Sequence, residues 1–99
     1  LIQIDFHIGI DQDLRKAKAL VREALVACQF SYLAKPAVVV VAPVSIGDAA
    51  ALRLRAKVYI IDLKYEKALE SDVTERVIAA FQLHRVHPPA VLIRHTQAA

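Results

Sequence analysis

A chain of 99 residues with 57% apolar side chains has room for one hydrophobic core, and two cores of half that size would each bury too little surface to be stable. Its formal charge of +3 comes from 13 Lys and Arg against 10 Asp and Glu and is dispersed along the chain, which permits a polyanionic partner without indicating one. The longest apolar run, residues 36–44, is far short of the ~20 residues that span a bilayer, and no secretory leader pattern is visible. The chain opens at Leu1, already inside an alternating pattern, and contains no methionine. These features predict one domain over residues 1–99, cut from a larger protein.

Ile2, Ile4, Phe6, Ile8 and Ile10 alternate with Gln3, Asp5, His7 and Gly9, the period of two that marks a half-buried strand. Asp11 and Asp13 then offer capping oxygens to a helix that runs to about Phe30, with Leu14, Ala17, Val21, Ala24, Leu25 and Cys28 on its apolar stripe. Cys28 is the sole cysteine and is expected to sit buried as a small hydrophobe. Lys35-Pro36 ends that segment, and Ala37 to Ala42 reads as a β-branched strand. From Leu52, the residues Leu54, Ala56, Val58 and Ile60 face one way while Arg53, Arg55, Lys57 and Tyr59 face the other. After Asp62, Tyr65, Leu69, Val73, Val77 and Phe81 step by four along a second helix that ends near Leu83, and Val91, Leu92 and Ile93 offer a short final strand.

The order β, α, β, β, α, β predicts an α+β fold, a ferredoxin-like split βαβ sandwich with a four-stranded antiparallel sheet and two helices on one face. Ala37 to Ala42 would be an edge strand of that sheet, yet it carries no charge and is apolar on both sides. Pro36 and Pro43 limit how far another strand could extend the ladder without hiding the valines. A neighbouring subunit or a missing domain is therefore expected to cover this strand, and Val38, Val39, Val40 and Val41 are the candidate subunit interface.

Groups that could carry chemistry are sparse. His7, His84, His87 and His95 lack a metal signature and read as solvated side chains, so no metal is expected. Asp11 and Asp13 precede a helix, where capping accounts for them better than acid-base work. There is no phosphate-binding glycine loop and no nucleophile motif. The expectation is a protein that is not an enzyme and uses no cofactor. Arg53, Arg55, Lys57 and Tyr59 form a candidate basic sheet face. A nucleic-acid platform would present aromatics on the neighbouring strand too, where this chain has Gln3, Asp5 and His7, so a solvated face or an acidic neighbour is expected, and no nucleic acid.

Phe6-His7-Ile8-Gly9-Ile10-Asp11-Gln12-Asp13, Lys35-Pro36-Ala37-Val38-Val39-Val40, Leu52-Arg53-Leu54-Arg55-Ala56 and Glu75-Arg76-Val77-Ile78-Ala79-Ala80-Phe81 together resemble the carboxy-terminal α/β domain of the small-conductance mechanosensitive channel family. The resemblance covers nearly the whole chain. It implies a soluble vestibule domain of a homo-oligomeric channel, heptameric when whole, on the cytoplasmic side of a bacterial inner membrane. The domain would contribute to assembly and solute filtering, and membrane segments outside this chain would form the pore. Arg85 stands where that family usually has a helix-ending Gly, and a left-handed non-Gly cap costs about 1 kcal/mol, so a different exit from the helix is expected there. The competing readings are the cytosolic regulatory metal-binding domain of a cation-diffusion transporter, using some of the four histidines, and a small-ligand or RNA-binding module.

Overall fold

A computed structural model describes residues 1–89 of the chain. Strand β1 (Ile2–Gly9) leads to helix α1 (Leu14–Ala27), a hairpin of β2 (Val38–Ile46) and β3 (Ala49–Val58), a single 3-10 turn over Leu63–Tyr65, and helix α2 (Glu66–Leu83). The sheet is antiparallel in the order β1-β3-β2. This corrects the expected four-stranded ferredoxin-like sandwich: the described residues form a small α+β fold with a three-stranded sheet and two helices. The strand expected over Val91, Leu92 and Ile93 lies outside them. Where the chain returns toward β1, the backbone bond to that strand is Gly9 N–H to the His87 carbonyl at 2.9 Å, and Pro88 and Pro89 follow with no N–H to continue a ladder.

Both helices cover one sheet face. Ile2, Phe6 and Ile8 of β1, Val39 of β2 and Leu54, Ala56 and Val58 of β3 form one core with Ala17, Val21 and Leu25 of α1 and Leu69, Val73, Val77 and Phe81 of α2. Register places Phe6 and Val41 on either side of Leu54, and Phe81 meets Phe6 edge to face at 6.4 Å between centroids. Ile10, expected to face the core, is exposed because β1 stops at Gly9.

Local chemistry sets the element ends. Asp13 caps α1 by accepting from Lys16 N at 3.1 Å. The helix stops at Ala27, short of the expected Phe30, because Cys28 turns to extended geometry. Beyond it the Ser31 hydroxyl donates to the Leu25 carbonyl at 2.7 Å, satisfying a last-turn acceptor. Strand β2 runs on through Pro43, which an edge strand tolerates. A two-residue turn joins Ile46 to Ala49, with Gly47 at its first central position and φ 59°. The second helix begins later than its apolar pattern suggests: Asp62 caps the 3-10 turn by accepting from Lys64 N, and Tyr65 stacks on Phe30 at 5.0 Å.

The exit from α2 is left-handed after all. Arg85 has φ 58°, its N–H donates to the Gln82 carbonyl at 3.4 Å, and the Val86 N–H donates to the Phe81 carbonyl at 2.9 Å. This is the Schellman pairing, and buried Val86 and Phe81 are its apolar partners. Those two hydrogen bonds and that contact offset the strain of an Arg in glycine's conformation. Arg85→Gly is expected to raise unfolding stability by about 0.5–1 kcal/mol, read as a higher urea midpoint. A lower midpoint would mean that the Arg85 side chain contributes more than its backbone costs.

Candidate interaction surface

The face of the sheet opposite the helices is built by strand alternation. Side chains on β1, β3 and β2 line up across it in rows: Gln3, Lys57 and Val38; Asp5, Arg55 and Val40; His7, Arg53 and Ala42. The same alternation divides the four candidate valines. Val38 and Val40 are 43% and 44% exposed on this outer face, whereas Val39 is buried in the core and Val41 is half-buried against it. Half of the candidate interface is thus accessible, and it lies on the edge strand where the sequence places it.

Three of the four candidate basic residues share that face. Arg55 forms a two-pronged pair with Asp5, its Nε at 2.8 Å from Oδ1 and its Nη2 at 3.1 Å from Oδ2. Arg53 and Lys57 show no ion pair among the described residues, and the Arg53 Nε is buried without a hydrogen-bond partner. Tyr59 lies beyond β3; its carbonyl accepts from Tyr32 N, and the Lys35 ammonium sits 4.8 Å from its ring centroid. The basic face is therefore a short cationic row beside two exposed valines, with its middle cation neutralised.

The hydrogen bond from Arg55 holds the Asp5 carboxyl below its ordinary value of 3.8, against an opposing push from desolvation, and the positive charges of Arg55, Arg53 and His7 add to the lowering. Asp72 is lowered likewise, chiefly by its bond from Arg76 at 2.9 Å. A carboxyl lowered in the folded state stabilises the fold above its ordinary value and loses that contribution as pH falls toward the folded value. Stability is therefore expected to decline as pH drops below about 3.8. Asp5→Asn should reduce that decline in acid unfolding monitored by circular dichroism, and an unchanged acid limb would show that the pair is electrostatically silent.

The other candidates stay apart. His7 is exposed on the outer sheet face, His84 ends α2 and His87 lies in the segment after it; His95 lies outside the described residues. No group of three or more His, Cys, Asp or Glu side chains that could hold a metal forms among the described residues. Asp13 caps a helix and Asp11 accepts from the Gln12 amide at 3.2 Å. Cys28 is buried, and burial pushes its thiol above the ordinary value.

Sequence reasoning misses a shallow apolar groove along the outside of α1, lined by Ala19, Arg22, Glu23, Val26 and Ala27. The exposed Val26, one residue beyond buried Leu25, is a sign of it in the sequence. The Asp5–Arg55 pair is also missed, since 50 residues separate its members and only the strand register joins them.

No protein-family model and no curated protein matches the chain. Among the described residues, no helix is long and apolar enough to cross a membrane.

Proposed function

We propose that this chain is the vestibule domain of a tension-gated channel of the small-conductance mechanosensitive family. It would work on the cytoplasmic side of a bacterial inner membrane as one unit of a homo-oligomeric cage. The observation that carries the reading is the uncharged edge strand β2, whose Val38 and Val40 lie exposed on a sheet face with no covering layer among the described residues. A monomeric sheet normally protects such an edge with charge, and a repeating ring of subunits would cover it.

On this reading the domain does no chemistry. It holds neighbouring subunits in register around the pore exit, and the gaps between copies admit small solutes. The pore itself belongs to segments outside this chain, where tension would favour the state of larger area in the bilayer.

The test is osmotic. The open reading frame containing this chain would be expressed in a bacterium deleted for its own tension-gated channels, and survival after a sudden drop in osmolarity would be scored. Rescue is expected, and it should be lost when residues 1–89 are deleted. A membrane-inserted product that gives no rescue, or a reading frame without any apolar segment of about 20 residues, overturns the reading.

A further inference from the structure

The molecule offers three exposed surfaces of distinct charge. Helix α1 carries Arg15, Lys16, Lys18 and Arg22 against Glu23, leaving it three charges positive. The outer sheet face carries Arg53, Arg55 and Lys57 against Asp5, leaving it two positive. Helix α2 carries Glu66, Glu70, Asp72 and Glu75 against Lys67 and Arg76, leaving it two negative. Of its carboxylates, Asp72 is held by Arg76 and Glu70 lies 3.9 Å from Lys67, while Glu75 has no ion pair among the described residues. One helical turn along from Glu75, Ile78 and Ala79 are exposed.

We propose that copies of this chain associate head to tail, the outer sheet face of one receiving the exposed side of α2 from the next. The sheet contributes Val38 and Val40 beside Arg53 and Lys57, and the helix contributes Ile78 beside Glu75. Both surfaces join exposed aliphatic area to charge, and the charges are of opposite sign. Sheet against sheet, α1 against α1 and α1 against the sheet would each set like charges opposite one another, which suppresses wrong pairings. The two chosen surfaces lie on opposite layers of the fold, so one copy can hold two neighbours at once, the condition for a ring. A twofold contact of α1 against α2 would use up the helical layer and stop at a dimer. The proposal rests on the vestibule reading for its expectation of more than two copies, and it names the surfaces that reading leaves open.

Sedimentation of the 99-residue chain over a wide concentration range, at low and high salt, tests it. Self-association that weakens with salt is expected. Lys57→Glu and Glu75→Lys should each weaken it about tenfold or more, as charge reversal at an interface does. An equimolar mixture of the two variants should recover it, because each then supplies the surface that the other has lost. Arg15→Glu on α1 should change nothing, and circular dichroism melts confirm that all three variants fold. A chain that stays monomeric, variants that associate like the wild type, or a loss produced by Arg15→Glu overturns the proposal. Association through α1 or another surface would sink these contacts and leave the vestibule reading standing, whereas failed osmotic rescue would sink that reading whichever surfaces associate.

Discussion

Leu54→Ala is expected to lower unfolding stability by about 2–5 kcal/mol, the range for truncating a buried leucine and leaving a cavity. Leu54 is fully buried on the central strand, between Phe6 of β1 and Val41 of β2 and under the helical layer. Every layer of the core would lose contacts at once, and none can close the gap without dragging a strand. Domains of this size are stable by roughly 5–15 kcal/mol in all, so the variant would sit near the edge of folding. Urea unfolding should show the midpoint falling sharply with the slope unchanged. Gln3→Ala, exposed on the opposite face of the neighbouring strand, should change stability by no more than about 0.5 kcal/mol, as surface replacements do. Similar effects at the two positions would mean that the helices do not cover the face assigned to them.

Ser31→Ala is expected to cost about 1–3 kcal/mol, although only one oxygen is removed. The hydroxyl is buried and donates to the Leu25 carbonyl at 2.7 Å. Its loss strands an acceptor in the last turn of α1, away from water, and the full desolvation cost of that carbonyl then appears. The same change frees the segment that carries Phe30 to its stacking contact with Tyr65. Thermal melts followed at the aromatic signal and at the helical signal should fall together. A loss confined to the aromatic signal would show the serine holding the loop alone.

What the sequence discloses and what it hides follow from the range of each interaction. The alternation of β1 and β3 and the four-residue step of Leu69, Val73, Val77 and Phe81 are local periods, legible because one side of each element is dry and the other wet. The edge position of β2 follows from element order. Register is a different kind of information: nothing near Asp5 announces Arg55, and the pairing appears only when two strands 50 residues apart are set side by side. The end of α1 at Ala27 depends on Ser31 reaching back to Leu25, and no propensity encodes that. The strand count is read from an apolar triplet after two prolines, a run too short to specify a partner, and there the sequence expectation and the described fold part. Of the candidate surface, the cationic row on β3 is legible from alternation, while the division of the four valines between core and solvent needs the orientation of β2.

Cys28 has a practical consequence. It is the chain's one thiol, and it is packed under the end of α1 with its protonated form favoured, so a thiol reagent can reach it only when the domain opens. Its rate of modification under native conditions is a built-in clock for those openings. Followed across concentrations, that clock would report whether the openings depend on association between copies.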